Sequence, residues 1–328
     1  MRKRLGTAAR VLFGLAGAAF LIVAFWQTWD RSTDVVVPAW WRLVVALALI
    51  ALAMSLAYRA WAQLFERPVR SRSLAAGFYI SQLGKYVPGA VWQAVGQVGY
   101  ARRAEVSLPR AATAFAVFAF TQAAAGALVG AGVALFVPGL AWWLRFGAVA
   151  AAALVILLDR RWMVWAIGVY RRVRPADADG DADDAATSGE DKRTGQNDRR
   201  EPVSNHGREP VESLVPSQRA ILGACAWSVG VMLAMGLAFV VLLGGLGTTA
   251  PSLPAAVSGY TLAWTMGFVA VPFPSGLGVR EAVLIAVLGP TTGAAPLIAA
   301  SVYFRLAQML AEVLLILATR DWRVPRRC

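Results

Sequence analysis

Histidine is all but missing from this chain: His206 is its one copy, and it lies in a polar stretch. Acid/base or nucleophilic chemistry built on histidine is therefore excluded from the apolar segments, together with most metal-hydrolase schemes. Cysteine is nearly as scarce. Cys225 sits in an apolar run and Cys328 at the end of the sequence, so neither a disulfide framework nor a thiolate metal site is supported. Charge is low, at 16% of residues, and carboxylates are the rarer sign, with 19 Asp and Glu against 32 Lys and Arg. Eleven of those carboxylates fall between Arg171 and Arg219. The apolar remainder thus lacks the clustered Asp and Glu that metal-assisted phosphate chemistry needs, and no metal or other cofactor is expected.

What is present is hydrophobic. Apolar residues make up 58% of the 328, mean hydropathy is +0.56, and several runs approach twenty residues. These features predict an all-α polytopic membrane helix bundle. Six runs read as full spans: Leu12 to Trp29, Trp40 to Tyr58, Ala111 to Val137, Trp142 to Leu158, Ala220 to Leu243 and Pro296 to Ala318. The basic start Met1-Arg2-Lys3-Arg4 could open a signal peptide, but Phe25-Trp26-Gln27-Thr28-Trp29 offers no small-residue cleavage site, so a retained first helix with an interfacial aromatic belt is expected. The segment 171–218, with Asp177, Asp179, Asp181, Asp183 and Asp184, cannot bury a core and reads as a disordered acidic tether between membrane halves 1–170 and 219–328.

Two apolar stretches, 74–100 and 255–289, are interrupted. The first break is Leu83-Gly84-Lys85-Tyr86-Val87-Pro88-Gly89; the second is Val271-Pro272-Phe273-Pro274-Ser275-Gly276-Leu277-Gly278-Val279-Arg280-Glu281. Interrupted backbone survives at membrane depth only where protein buries it or a polar cavity receives it. The arginines arbitrate between hairpins and kinked spans. Arg59, Arg67, Arg70 and Arg72 precede the first stretch and Arg102, Arg103 and Arg110 follow it, so a single crossing would leave one cluster outside. A re-entrant hairpin keeps both clusters cytoplasmic, along with Arg160, Arg161, the linker and both termini. Eight simple crossings with two proline kinks remain the competing topology. Incoming legs of about 21 and 25 Å, from opposite faces of a core about 30 Å thick, would bring both tips near mid-membrane. The sequence Ala90-Val91-Trp92-Gln93-Ala94-Val95 lines up with Gly278-Val279-Arg280-Glu281-Ala282-Val283. An inverted pair of broken helices and a chance match in Ala/Val-rich sequence are both open readings.

The breaks also hold the candidate site. Pro274 stops one helix, Gly276 and Gly278 permit a tight turn, and Arg280 and Glu281 open the next helix, whose unpaired N–H groups favour an anion. Arg280 adds a bidentate donor, while Glu281 either caps the helix or pairs with Arg280 or Lys85. In the first break Lys85 supplies the cation, Pro88 suits a first helical turn, Gly89 allows close approach, and Trp92 and Gln93 follow. Arg305 and Glu312, seven residues apart on the last span, share a helical face that should look into the bundle, onto Glu281 or Lys85. The bland reading makes these structural ion pairs, a snorkelling lysine and packing glycines. Two charged breaks in one chain favour a binding site for an anionic, phosphate-bearing lipid head group. The basic residues flank apolar spans rather than forming one continuous face, which argues against nucleic acid.

At these residues the chain resembles the flippase-like family, the lysylphosphatidylglycerol synthase transmembrane region. Gly84-Lys85-Tyr86-Val87-Pro88-Gly89-Ala90-Val91-Trp92 and the segment from Pro272 to Glu281 are similar to its two signature segments. The resemblance implies a multi-pass plasma-membrane protein that binds an anionic lipid or lipid-linked intermediate, or moves it between leaflets, without enzymatic activity. No stretch of the chain reads as a soluble aminoacyl-transferase domain, so lipid lysylation is not expected. The alternatives are a membrane-embedded transferase with Glu281 or Glu312 as base, and a non-transporting partner of envelope-biosynthesis proteins.

Overall fold

The computed structural model describes residues 37–65, 72–86, 92–103, 106–137, 159–173, 210–247, 251–270 and 278–319, with isolated positions between 139 and 149. The expected spans at 12–29 and, for most of its length, 142–158 lie outside them, as do linker residues 174–209. Every described element is helical. In chain order these are α1 (Trp40–Ala62), α2 (Arg72–Gln82) running into a 3₁₀ turn (Leu83–Tyr86), α3 (Trp92–Arg103) and α4 (Leu108–Gly130). The short α5 (Val133–Phe136), α6 (Arg160–Val173) and α7 (Val211–Leu214) come next. Then follow α8 (Gln218–Leu243), α9 (Leu253–Val269), α10 (Val279–Thr292) and α11 (Ala294–Thr319). Among the described residues, α1, α4, α8 with its flanking turns, and α11 are long and apolar enough to cross a membrane. The linker edges expected to be disordered are helical: 171–173 complete α6, and Val211–Leu214 form α7.

Lipid tails are as apolar as leucine, so helices in a membrane associate by close packing of small residues, with large side chains left to the lipid. The α1–α8 pair follows that pattern. Ala46, Ala53, Ala57 and Ala60 are buried on α1 and Ala224 and Ala238 on α8, while Trp40, Val44, Leu52, Leu222 and Leu233 are exposed. Gly223 abuts Gln63, Gly230 abuts Leu56 and Gly244 abuts Arg42, which fixes the two helices as antiparallel. Arg42 Nη1 ties the far end by donating to the Val241 carbonyl at 3.2 Å.

The interrupted stretches fold back on themselves. In the first, Gly77 faces Tyr100, Gly96 faces Ser81 and Gly84 lies on the Trp92–Gln93 backbone, so α2 and α3 are antiparallel neighbours. Gln93 Nε2 donates to Gln82 Oε1 at 3.0 Å across the pair. In the second, Gly259 packs on Leu288, and α9 and α10 lie against each other. The first pair has the geometry of a hairpin rather than of a continuous kinked helix.

Two aromatic nuclei hold the bundle. Trp61, Phe65, Phe78 and Phe118 join α1, α2 and α4, with ring centroids 5.0 to 5.9 Å apart. Phe239, Tyr260 and Phe304 join α8, α9 and α11, with Tyr260 centred 5.0 Å from each of the other two. The helix α9 is the central element: residues 255–263 are buried without a break, and it packs on α4, α8 and α10. Its last turn is open by contrast, with Met266, Phe268 and Val269 exposed.

Candidate functional site

The last span, α11, connects the two hairpins. It packs against both α2 and α10. Arg305 and Glu312 are two turns apart, about 10 Å along the axis, and both face the bundle as their spacing predicts. Lys85, in the 3₁₀ turn at the tip of the first hairpin, forms an ion pair with Glu312, whose side chain is wholly buried. Arg305 Nη2 donates to Glu281 Oε1 at 2.9 Å, at the start of α10. Between them Gln308 Nε2 donates to Glu312 Oε1 at 3.3 Å. A continuous polar strip therefore runs down one face of α11, with a hairpin attached at each end.

Glu281 does two jobs. Besides Arg305 it accepts the Gly278 backbone N–H on Oε2 at 2.9 Å, a capping-box contact three residues along the chain. Gly278 has φ +84°, in the left-handed region where a side chain would be strained, so the turn into α10 depends on glycine. Of the partners weighed for Glu281, the cap is present, but its ion pair is with Arg305 rather than with Arg280 or Lys85. Lys85 is satisfied by Glu312 instead.

Arg280 is the exception in this strip. It is only 5% exposed, its Nε and Nη2 have no hydrogen-bond partner among the described residues, and no carboxylate claims it. Its guanidinium carbon stands 4.5 Å from the Tyr260 ring centre and 5.0 Å from that of Phe304. Such cation–π contacts are worth about 0.5–2 kcal/mol each and offset only part of the cost of a buried charge. Three cations, Lys85, Arg280 and Arg305, thus meet two carboxylates, Glu281 and Glu312. Among the described residues these groups carry one formal positive charge in excess, and Arg280 stands in the first turn of a helix.

The remaining expected residues fall out differently. Trp92 is 52% exposed, and Gln93 spends its amide on Gln82, so the side chains of the outgoing leg are not drawn into the strip. Pro88, Gly89, Pro274 and Gly276 lie outside the described residues. Tyr260 and Phe304, the rings that bracket Arg280, carry no charge, and periodicity alone marks them as core. Among the described residues, Gln97 on α3 is wholly buried with neither amide atom partnered, and Gln122, Ser228 and Ser301 also bury an oxygen without a partner. No three of His, Cys, Asp and Glu gather to hold a metal among the described residues.

A hairpin with a lysine at its tip, a second whose outgoing helix opens on Gly278, Arg280 and Glu281, and a span joining them occur here in one chain. The sequence model of the lysylphosphatidylglycerol synthase TM region matches residues 7–316. The chain belongs to that family. The match runs through both breaks and across the acidic linker, so the lysylphosphatidylglycerol synthase TM region accounts for nearly all of the sequence and marks the protein as membrane-embedded and related to lipid handling. A search of curated proteins found no relative.

Proposed function

We propose that this member of the lysylphosphatidylglycerol synthase TM region binds the phosphate-bearing head group of an anionic lipid at the polar strip on α11 and moves the lipid between leaflets. The observation that carries the proposal is Arg280: a buried guanidinium in the first turn of α10, with two nitrogens that have no partner among the described residues and one positive charge in excess over the described carboxylates around it. Burying an unpaired charge costs several kcal/mol, a cost that a phosphate brought by the substrate would offset with charge-assisted hydrogen bonds. The amides of the α10 first turn add partial positive charge on the same side.

The two hairpins supply the route. Their legs are 11 and 12 residues in α2 and α3 and 17 and 14 in α9 and α10, none longer than about 25 Å, short of a bilayer core of about 30 Å. In this reading they enter from opposite faces and meet at α11 near the midplane, with both termini and the linker in the cytoplasm and the bilayer being the plasma membrane. The head group passes along the strip while the acyl chains stay in lipid. A transferase reading fits less well, because a general base needs a carboxylate free to take a proton. Glu281 is engaged by Arg305 and the Gly278 amide, and Glu312 by Lys85 and Gln308.

The test is transfer of a fluorescent anionic phospholipid between leaflets of vesicles holding the full chain, compared with a Lys85→Ala, Arg280→Ala double variant. Transfer should fall to the protein-free rate. Unchanged transfer in the double variant sinks the assignment. Mass spectrometry of gently purified protein should find an anionic lipid bound to the native chain and not to the double variant.

A further inference from the structure

Helix α6 fits neither the bundle core nor the polar strip. Its 14 residues span about 21 Å, too short to cross a membrane, and its sequence Arg-Arg-Trp-Met-Val-Trp-Ala-Ile-Gly-Val-Tyr-Arg-Arg-Val carries an arginine pair at each end. Asp159 Oδ1 accepts the Arg161 N–H at 2.9 Å and closes its first turn. One face packs on the protein through Met163, Val164 and Ile167. Arg160 anchors the same end: its backbone N–H donates to Gln218 Oε1 at 2.8 Å and its Nη2 to the Glu212 carbonyl at 2.6 Å. This clamps α6 to the start of α8, where the apolar span begins.

The opposite face is apolar and uncovered. Trp162, Trp165 and Val169 follow one another at three and four residues and are 52%, 63% and 38% exposed, and the two indoles meet edge to face at 6.0 Å. Arg161 is exposed beside them. Tryptophan prefers the head-group level of a bilayer, and arginine beside an apolar face is drawn to anionic lipid. A helix too short to span, with the sequence placing arginines at both of its ends, suits the surface of a bilayer rather than its interior. The other charged groups gathered at this end are Arg110, whose Nη2 donates to the Ser213 carbonyl, and Arg219 in the first turn of α8, against the exposed Asp159 and Glu212; with Arg160 and Arg161 the basic residues there outnumber the acidic ones.

We infer that α6 is an interfacial helix that lies flat along the basic end of the bundle, with its Trp162–Trp165–Val169 face in an anionic leaflet and Arg161 at the phosphates. The partner is the lipid surface itself, at a place separate from the Arg280 strip. Lipid held there pins the junction between the two membrane halves, since the segment that follows α6 leads to α7 and α8.

The experiment uses the full chain with Cys225→Ser and Cys328→Ser, and Trp165→Cys or Val169→Cys labelled with a fluorophore. The protein is placed in phosphatidylcholine vesicles with or without phosphatidylglycerol. Lipids brominated high on the acyl chain should quench both labels, and aqueous iodide should not. When the bromine is carried on phosphatidylglycerol, quenching should show a preference of roughly five-fold per arginine engaged, which Arg161→Gln reduces without moving the label out of the bilayer. Iodide quenching with no effect of brominated lipid would overturn the inference. So would energy transfer between labels on two copies that persists on dilution into excess lipid, which would make the face a contact between chains. Neither readout depends on lipid transfer, so this inference can fail while the head-group site stands.

Discussion

Lys85 and Glu312 are 227 positions apart and form an ion pair that fastens the tip of the first hairpin to the last span. Glu312 is wholly buried, and its second oxygen has no partner among the described residues. Removing Lys85 alone would strand a buried carboxylate, at a cost of about 3–5 kcal/mol. Lys85→Met is therefore expected to lower the thermal midpoint in detergent markedly. The double variant Lys85→Met, Glu312→Met should recover most of that loss yet still fail to transfer lipid. A double variant that regains stability and transfer together would reduce the pair to a structural one.

Arg280 should show the opposite balance. Arg280→Met removes an unpaired buried charge and leaves an apolar side chain between Tyr260 and Phe304, so stability in the absence of lipid is expected to hold or rise, within about 1 kcal/mol after loss of the ring contacts. Head-group binding should fall by at least about ten-fold, because a charge-assisted hydrogen bond contributes roughly 1.5–3 kcal/mol. Arg280→Lys should restore part of the binding, as a point charge without the guanidinium fork. Melting curves with and without added anionic lipid separate the two effects: the lipid-induced rise disappears in Arg280→Met.

Glu281 links the cap of α10 to Arg305, and the two contacts separate by substitution. Glu281→Gln can still accept the Gly278 N–H but loses the ion pair; Glu281→Ala loses both. The alanine variant should be less stable than the glutamine variant by about 1 kcal/mol, the usual worth of a cap. Denaturation midpoints of both, measured with Arg305→Met as background, should show the ion-pair part vanish and the cap part persist.

The tip of the first hairpin should tolerate no side chain at Gly84. A Cβ there would stand 2.6 Å from the Gln93 amide nitrogen and 2.7 Å from the Trp92 carbonyl carbon, both backbone atoms that cannot swing aside. Gly84→Ala is expected to cost about 1–3 kcal/mol and to open the Gln82–Gln93 contact. Gly99→Ala, a control on the same hairpin with nothing near its Cβ, should be neutral or slightly stabilising. Limited proteolysis, with cleavage after Arg102 or Arg103 as readout, distinguishes the two.

The all-helical bundle and the two broken stretches were legible before any coordinates, because both are local: hydropathy over twenty residues and Pro/Gly chemistry over ten. The face shared by Arg305 and Glu312 was legible for the same reason, since seven residues make two turns. That this face looks onto Glu281 or Lys85 was an expectation too, but which of the two each residue takes was not legible. Lys85 meets Glu312 and Arg305 meets Glu281 only after the tip of the first hairpin and the start of α10 pack two turns apart on one face of α11, and no spacing along the chain encodes that choice. The same holds for the rings around Arg280. Tyr260 and Phe304 read as ordinary core residues until α9 and α11 converge on the start of α10.

By itself the sequence determined that this chain lives in a membrane, that its backbone breaks twice, and that cations sit at both breaks. These follow from the cost of apolar surface in water and of unpaired backbone in lipid, each felt residue by residue. The tertiary structure decided which cations are spoken for. Ion pairing depends on approach in space, and once the helices had packed, Lys85 and Arg305 each had a carboxylate while Arg280, among the described residues, lay against two aromatic faces with no ion pair.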